Sequence, residues 1–426
     1  MVEREVIRRI IIEGQEFVNE ISLTERPFFF EQKGNYVFVG IRQAGKSYLL
    51  YQHIQQLLRE EHNINEIVYI NFDDERLRQM TADDLDLILQ AYHSLFDLRP
   101  LLFFDEIQNI EGWEHFARRL ANQKYNIYIT GSNAKMLSRE IATTLGGRFW
   151  NKDIYPYSFA EYLNARNIIL SKNWMYGKQA AEVSKAFNDY FLYGGFPELT
   201  DVIAKRVWLN DIYSKIFFSD LIVRNKVRNE EALGLLVRRL AENVKQPVSY
   251  TRLANLISSI GIKISKATVI EFIRYLKESC LIFPIENYAA KFAERNSNMK
   301  HYFIDNGLLS IFLLDGNTSL LENIVVIHLY KRYGAQLYFY NQNIEVDFII
   351  PEAKTAIQVS YSLMDETTCR REVEGLIKLN RVFPMDNMCI ITRDEERIIT
   401  HESGVSIHVI PVWKWLLKEE PVRNLG

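Results

Sequence analysis

The chain has 426 residues, of which 48% are hydrophobic and 25% are charged, and it contains 10 prolines. This length exceeds the usual size of one hydrophobic core, so we expect two or more domains, and the composition excludes disordered, collagen-like and low-complexity chains. The net charge of −3, from 51 basic and 54 acidic side chains, does not indicate nucleic-acid binding over the whole surface, although a local basic patch stays open.

Cysteine usage and the hydrophobic pattern favour a cytoplasmic location. The three cysteines, Cys280, Cys369 and Cys389, lack Cys-x-x-Cys spacing, so a zinc site and a disulfide framework are both disfavoured. Acidic residues interrupt the short apolar run near the N-terminus, which argues against a signal peptide. Since no uncharged apolar stretch is long enough to span a bilayer, we expect no membrane partner.

Residues 1–154 alternate short apolar runs with longer amphipathic segments such as Ser47–Arg59 and Trp113–Leu120. Four runs of mostly branched or aromatic residues with polar ends predict buried strands. They are Tyr36–Val39, Ile67–Phe72, Leu101–Phe104 and Asn126–Thr130. This alternation predicts an α/β fold in which helices cover both faces of a parallel sheet.

The segment from Gly40 to Ser47 fits the phosphate-binding pattern Gly-x-x-x-x-Gly-Lys-Ser/Thr in full, between a predicted strand and a predicted helix. Its glycines let the backbone wrap an anion, and the helix N-terminus favours negative charge. We expect Lys46 to bind the β- and γ-phosphates of ATP and Ser47 to coordinate Mg²⁺, although the sequence leaves other nucleoside triphosphates open. The predicted nucleotide-binding residues are Gly40, Arg42, Gln43, Ala44, Gly45, Lys46, Ser47 and Tyr48.

Two carboxylates, Asp105 and Glu106, follow the apolar run Leu101–Phe104. Ligands of α/β sheets bind at the C-terminal ends of the strands, where these two side chains emerge. We expect Asp105 to hold Mg²⁺ and Glu106 to act as the general base that polarises the attacking water. An Asp-Glu pair can also cap a helix, but its position behind a phosphate-binding loop favours the catalytic interpretation.

Two further positions are catalytic candidates. Asn133, or Ser132 in its place, follows the predicted strand Asn126–Thr130 and would contact the γ-phosphate or orient the water, with a helix cap as the alternative. Arg148 follows a Gly-Gly turn and would serve as an arginine finger in a neighbouring subunit, which requires a homo-oligomer. A surface arginine or a structural ion pair is the alternative for Arg148.

The remaining residues divide into three predicted parts. Residues 155–244 have helical periodicity, with a Gly-Gly-Phe-Pro turn at Gly194–Pro197, and predict a helical lid or linker. Residues 245–312 contain two short predicted helices, Tyr250–Ser258 and Lys266–Ser279, followed by an apolar segment, the outline of a winged helix-turn-helix. Residues 313–426 mix helix and strand signals and predict a separate small α/β domain.

Taken in order, these motifs resemble the prokaryotic AAA-type ATPases that carry a C-terminal domain of unknown function with a restriction-endonuclease-like core. The matching segments are Gly40–Ser47, Tyr69–Asp74, Phe104–Gln108, Thr130–Asn133, Leu145–Arg148, Tyr155–Glu161, Gly194–Pro197 and Glu345–Phe348. The resemblance implies an ATPase core, a winged-helix segment and a nuclease-like tail. It does not imply one agreed biological role.

The tail departs from the nuclease pattern, which places an Asp on one strand and Glu-x-Lys on the next, with a helical Glu before them. Glu322 and Asp347 fill the helical and first-strand positions, but Gln358 and Ser360 stand where Glu-x-Lys is expected. Glutamine binds Mg²⁺ poorly and serine brings no cation, so an active nuclease is disfavoured. We expect a degenerate domain that serves as a binding or docking module.

The sequence does not identify the binding partner of the chain. The second predicted helix of the winged-helix segment carries Lys266, Arg274 and Lys277 against Glu271 and Glu278, a weak electrostatic footprint for DNA. The expected function is ATP hydrolysis coupled to the binding of DNA, through the winged helix, or of a protein, through the C-terminal domain. The alternative is a nucleotide-dependent switch with little turnover, and an ATP-regulated nuclease ranks below both.

Overall fold

A computed structural model of the chain describes residues 2–31, 33–291, 295 and 298–418. The last predicted domain extends to residue 426, so its final eight residues lie outside the described part of the chain. Two compact units are present, Met1–Tyr155 with Glu278–Cys280 and Pro156–Lys277 with Leu281–Gly426. Each is considered by itself.

The first unit is built on a parallel five-stranded sheet with the strand order β2-β3-β4-β1-β5. Its strands are β1 (Asn35–Val39), β2 (Ile67–Asn71), β3 (Leu101–Asp105), β4 (Ile127–Gly131) and β5 (Phe149–Asp153). Its helices are α1 (Arg4–Glu20), α2 (Lys46–Arg59), α3 (Asp86–His93), α4 (Trp113–Asn122) and α5 (Arg139–Leu145). The predicted α/β fold with a parallel sheet is confirmed.

Strand β5 is not among the predicted strands, because its sequence lacks an apolar run. It reads Phe-Trp-Asn-Lys-Asp, and three of its five side chains are exposed. The strand lies at the edge of the sheet and pairs with β1 from Asn35–Phe149 to Val39–Asp153. Backbone pairing with a buried neighbour therefore forms this strand without a hydrophobic pattern of its own.

The strand order brings the functional segments of the first unit together. Strands β3, β4 and β1 are adjacent in the sheet, so their C-terminal ends share one edge. The phosphate-binding loop follows β1, the Asp-Glu pair ends β3, and Ser132 follows β4. The sheet is buried beneath α1, whose Ile7, Ile11 and Val18 are fully covered.

The second unit opens with helices and ends in a mixed sheet. Its helices are α6 (Phe159–Ala165), α7 (Gln179–Tyr193), α8 (Lys205–Lys215), which continues as a π-helix (Ile216–Val223), α9 (Glu230–Glu242), α10 (Tyr250–Ser258) and α11 (Lys266–Glu278). The later helices are α12 (Asn306–Ser310), α13 (Asn317–Tyr333), α14 (Glu366–Val382) and α15 (Val412–Lys418).

Among the described residues of the second unit, nine strands form one sheet with the order β13-β14-β12-β11-β10-β9-β7-β8-β6. They are β6 (Val248–Ser249), β7 (Ile282–Asn287), β8 (Asn298–Phe303), β9 (Tyr338–Asn341), β10 (Glu345–Ile350), β11 (Thr355–Val359), β12 (Asn387–Thr392), β13 (Arg397–Thr400) and β14 (Ser406–Pro411). Strands β7 and β8 form an antiparallel hairpin, and β7 also pairs in parallel with β9. The sheet thus contains strands from both sides of residue 312, the predicted boundary between the winged-helix segment and the C-terminal domain. That boundary stays a prediction.

Candidate functional site

The loop between β1 and α2 requires glycine at two positions. A Cβ atom on Gly40 would lie 2.0 Å from the carbonyl oxygen of Ile154, so no larger residue fits there. Gly45 has a φ of 90°, a left-handed conformation that side chains disfavour. Gln43 between them also has a positive φ, 58°. The backbone is therefore held in the tight, N–H-rich curve that binds phosphate.

Lys46 is the first residue of α2, and its side chain folds back over the loop. It is only 4% exposed, and its Nζ donates hydrogen bonds to the carbonyl oxygens of Gly40 (3.1 Å) and Ile41 (3.0 Å). Gly45, at the N-cap, has no side chain with which to cap the helix. The backbone N–H groups of the first turn can consequently point to an anion beside the ammonium.

Asp105 is buried at the end of β3 and accepts hydrogen bonds from two hydroxyl groups. Tyr69 Oη donates to Oδ2 at 2.9 Å, and Thr130 Oγ1 donates to Oδ1. Burial raises the pKa of Asp105 and the neighbouring charge of Glu106 raises it further, while these two hydroxyls and that of Ser47 oppose this shift. Ser47 and Asp105, the predicted Mg²⁺ ligands, are therefore close to one another.

Glu106 adopts a left-handed conformation with a φ of 53°. Its Oε1 lies 3.7 Å from Lys46 Nζ, and its Oε2 accepts the backbone N–H of Ser132 at 3.2 Å and a hydrogen bond from Gln108. Burial alone raises the pKa of Glu106, but Lys46 and these hydrogen bonds outweigh burial and leave the pKa below its usual value. Glu106 is thus held as a carboxylate beside Lys46.

Thr130 connects the two acidic residues. Its Oγ1 donates to Asp105 and accepts the backbone N–H of Glu106 at 3.0 Å. Three residues that contact the acidic pair, Tyr69, Gln108 and Thr130, were not assigned a role from the sequence. Each lies inside a motif that carries the family resemblance, and this position is the sequence feature that could have indicated a role in the site.

Arg26 supports the phosphate-binding loop from outside any recognised motif. Its guanidinium donates to the carbonyl oxygens of Ala44 and Tyr155, both at 3.1 Å. Its backbone N–H and carbonyl oxygen bind the side chain of Gln52 on α2. Nothing local in the sequence around Arg26 indicates this role, because its partners are distant along the chain.

Three other predicted site residues differ in their burial and in their relation to the acidic pair. Arg42 is half-buried, and its charge contributes to the lowered pKa of Glu106. Tyr48 lies in the first turn of α2 with 52% of its surface exposed. Asn133 is half-buried and follows Ser132, whose backbone contacts Glu106. These positions are compatible with nucleotide contacts, and their roles stay predictions.

Arg148 lies between α5 and β5 and is exposed. Its Nη1 donates to the carbonyl oxygen of Gly146 at 2.9 Å, within the same turn. No contact between Arg148 and the acidic pair is present in the described residues. A role as an arginine finger would therefore be exercised on a second chain, and it stays a prediction.

This arrangement has the chemistry that a nucleoside triphosphate with Mg²⁺ requires. The glycine loop and Lys46 offer N–H groups and an ammonium to phosphate oxygens. Ser47 and Asp105 supply hard oxygen ligands of the kind that Mg²⁺ prefers. Glu106 supplies a carboxylate at the edge of the same site. The residues present therefore fit the predicted cofactors.

Comparison with known proteins gives the family. A family model described as an AAA domain matches residues 32–163, and one described as a domain of unknown function (DUF8612) matches residues 184–335. The uncharacterized protein MJ1544 of Methanocaldococcus jannaschii is 32% identical over 434 residues, covering 98% of this chain and 96% of that protein. The chain belongs to this family of AAA-domain proteins.

The chain is also similar to a second relative and to a solved structure. An uncharacterized protein of Haemophilus influenzae is 31% identical to this AAA-domain protein over 354 residues, which cover 80% of the chain and 86% of the relative. The Walker-type ATPase Paby2304 of Pyrococcus abyssi, a solved structure, is 14% identical, with a TM-score of 0.42 over 73% of this chain and 96% of that one. A structural likeness this low carries no argument about function.

Within the described residues of this AAA-domain protein, every helix is too short or too polar to cross a bilayer. The same residues contain no group of three or more His, Cys, Asp or Glu side chains arranged to hold a metal ion. The Ser47–Asp105 pair is a different kind of site, because its remaining ligands would be phosphate oxygens and water.

Proposed function

We propose that this AAA-domain protein binds ATP with Mg²⁺ and hydrolyses it at the edge of the five-stranded sheet. One observation carries the proposal: Lys46, Asp105 and Glu106, which come from two different sequence motifs, converge in one buried site. Glu106 lies 3.7 Å from Lys46, and the Ser47 hydroxyl is near enough to Asp105 to lower the pKa of that carboxyl. A chance glycine turn would not place both motifs around one point.

The proposed reaction is in-line attack of water on the γ-phosphate. Lys46 would exchange the carbonyl oxygens of Gly40 and Ile41 for phosphate oxygens. Ser47 and Asp105 would hold Mg²⁺, which would supply positive charge to the phosphates. Glu106 accepts the proton of the attacking water. Its lowered pKa keeps it deprotonated at neutral pH, which is the form that a base needs.

Two residues complete the proposed site. Asn133, or Ser132 beside it, orients the water or contacts the γ-phosphate. Arg148 reaches the site of a neighbouring chain in a homo-oligomer and stabilises the transition-state charge. A mass measurement with and without ATP tests this second role, because a chain that stays monomeric under both conditions cannot use Arg148 in trans.

We further propose that the nucleotide state controls binding of a partner. The predicted winged-helix segment, residues 245–312, is the candidate for DNA, but Arg274 on α11 is 3.7 Å from Glu271, so part of its positive charge is neutralised locally. Weak local charge favours a protein partner, bound through the C-terminal domain, over DNA. A switch with slow turnover is the second candidate, supported by the Lys46–Glu106 ion pair, which ATP phosphates would have to break.

Steady-state ATP hydrolysis tests the proposal. Lys46→Ala should weaken ATP binding about 10- to 100-fold, whereas Glu106→Gln should bind ATP at least as tightly as the wild type and lower the turnover number about 100-fold or more. Glu111→Gln is the matched control, because Glu111 is an exposed carboxylate in the same loop. Full turnover by Glu106→Gln would refute the assigned base. ATP binding without turnover by the wild type, with and without DNA, would favour the switch.

A further inference from the structure

A fully buried lysine lies among three carboxylates in the second unit. Lys300 on β8 is 0% exposed. Its Nζ is 3.4 Å from Glu322 Oε1 on α13, 3.5 Å from Asp347 Oδ1 on β10 and 3.8 Å from Glu345 Oε1 on the same strand. Glu322 and Asp347 are the two residues that the sequence analysis places in the magnesium positions of a nuclease. Both therefore bind an ammonium group supplied by the protein.

The carboxylates are also engaged by neighbours of the lysine. Tyr302 Oη donates to Glu322 Oε1 at 2.7 Å, and the backbone N–H of Val359 donates to Asp347 Oδ2 at 2.9 Å. Both oxygens of Asp347 are consequently engaged, one by Lys300 and one by β11. A divalent cation needs carboxylate oxygens at about 2.0–2.6 Å, so it would have to displace the ammonium of Lys300 from between them.

Gln358, which stands at the position of the expected Glu, binds the backbone instead of facing the lysine. Its Oε1 accepts the N–H of Asp347 at 2.9 Å, and its Nε2 donates to the carbonyl oxygen of Glu345 at 3.1 Å. Both ends of this buried amide are therefore directed at strand β10. The side chain contributes no ligand to a cation beside Asp347.

The positive charge of Lys300 and the negative charges of the carboxylates stabilise one another. Burial alone lowers the pKa of Lys300, but Glu322, Asp347 and Glu345 together raise the pKa above its ordinary value, so the ammonium persists. Burial raises the pKa of Glu322 to about 7, although Lys300 opposes this shift. One permanent internal cation thus offsets the carboxylates that would otherwise repel one another.

We propose that Lys300 replaces a divalent cation: its ammonium binds the carboxylates of Glu322, Glu345 and Asp347 that would otherwise hold Mg²⁺. The cavity beside them, about 510 Å³ and lined also by Lys245 and Arg371, is in consequence a metal-independent site. It has the size of a binding pocket, and its carboxylates face Lys300 and not the metal that a nuclease of the carboxylate type uses. The C-terminal cavity would then bind a ligand without cleaving it. This inference does not depend on whether the first unit hydrolyses ATP.

Manganese titration of the full-length protein, followed by electron paramagnetic resonance, tests this inference. Wild type and Asp347→Asn should bind the same number of Mn²⁺ ions, because Asp347 holds no metal. Lys300→Met should bind one more Mn²⁺ per chain than the wild type under the same conditions. The double variant Lys300→Met/Asp347→Asn should lose this extra ion. Binding at Ser47 and Asp105 is common to all variants and cancels in the comparison.

Removing Lys300 takes away the cation nearest to Glu322 and Asp347, which destabilises the fold. Circular dichroism therefore accompanies each titration, and Mn²⁺ should raise the melting temperature of Lys300→Met more than that of the wild type. A Mn²⁺ ion that the wild type binds and Asp347→Asn loses would overturn the inference, as would a folded Lys300→Met that gains no ion. If Lys300→Met does not fold, the comparison of wild type with Asp347→Asn decides alone.

Discussion

The ammonium of Lys46 lies 3.7 Å from Oε1 of Glu106, so the lysine of the phosphate-binding loop and the proposed general base form one buried ion pair. A phosphate group that approaches Lys46 competes with Glu106 for the same positive charge. Binding of the triphosphate would therefore release the carboxylate toward the attacking water. The ion pair therefore couples nucleotide binding to the release of Glu106 as the general base.

Replacing Glu106 with Gln should tighten ATP binding while it stops turnover. The neutral amide neither competes for Lys46 nor repels the γ-phosphate, so the Kd for ATP should fall about 3- to 10-fold, equivalent to ~1 kcal/mol. Equilibrium titration with a fluorescent, non-hydrolysable ATP analogue measures this change. An unchanged or weaker affinity would show that the ion pair does not oppose binding.

Tyr69 should act as a positioning residue for Asp105. Its hydroxyl donates to Asp105 Oδ2 at 2.9 Å, while Thr130 Oγ1 donates to the other oxygen of the same carboxylate. Tyr69→Phe removes one of these two donors, so the turnover number should fall about 3- to 10-fold. The Mg²⁺ concentration needed for half-maximal activity should rise, because Asp105 is less well oriented toward the metal.

Tyr51 provides the matched control for this substitution. Its hydroxyl bonds to Tyr69 Oη at 2.8 Å and lies one residue farther from the carboxylate. Tyr51→Phe also removes a buried hydroxyl, but it leaves the Tyr69–Asp105 hydrogen bond in place. Equal magnesium dependence in the two variants would mean that the effect comes from packing and not from the orientation of Asp105.

The sequence predicts the parts of the site that are local along the chain. The loop from Gly40 to Ser47 and the pair Asp105–Glu106 are each recognisable within eight residues. Tyr69 and Asp105 meet only because β2 pairs with β3, and Arg26 reaches Tyr155 across 129 positions. Those contacts depend on strand order and on the path of the chain, which hydrophobic periodicity does not specify.

In the C-terminal domain, too, a contact between residues distant along the chain could not be predicted from the sequence. Glu322 and Asp347 were recognisable from the spacing of a nuclease pattern, but Lys300 precedes both and belongs to the segment predicted as a winged helix. Its ammonium reaches them because β8 joins the same sheet as β10. A lysine contributed by a different strand has no fixed spacing, so no sequence pattern could have placed it in the cluster.

Gly194→Ala should destabilise the second unit by about 2 kcal/mol or more. Gly194 has φ 78° and ψ −164°, a conformation that is nearly restricted to glycine, and an added Cβ would lie 2.0 Å from Asp305 Oδ1. The displaced carboxylate would lose the backbone N–H of Gly195, which it accepts at 2.8 Å. The midpoint of urea unfolding measures the loss.

Gly177→Ala is the control for that substitution. Gly177 has a negative φ, and among the described residues no atom lies within 4 Å of the Cβ that alanine would add. Its unfolding midpoint should stay close to that of the wild type, within about 0.5 kcal/mol. If both variants lose stability equally, the cause is the general effect of alanine on these loops and not the contact with Asp305.

His53 should make the first unit sensitive to mild acid. Its ring stacks on Phe30 at 3.8 Å between centroids, and neither ring nitrogen has a hydrogen-bond partner among the described residues. Burial lowers its pKa to about 3, whereas an unfolded histidine titrates near 6.5. Between these values the unfolded chain binds a proton that the folded chain excludes, so stability present above pH 6.5 is lost as the pH falls.

Replacing His53 with Phe should remove this pH dependence. Relative to His53→Phe, the wild type should lose about 2 kcal/mol of stability between pH 7.5 and pH 5, measured by urea unfolding at each pH. His115→Gln, which changes an exposed histidine on α4, should follow the wild type. A difference between wild type and His53→Phe that stays constant from pH 7.5 to pH 5 would mean that folding does not exclude the proton from His53. The imidazole would then have a polar partner or water within reach in the folded protein, and its stacking on Phe30 would not isolate it from solvent.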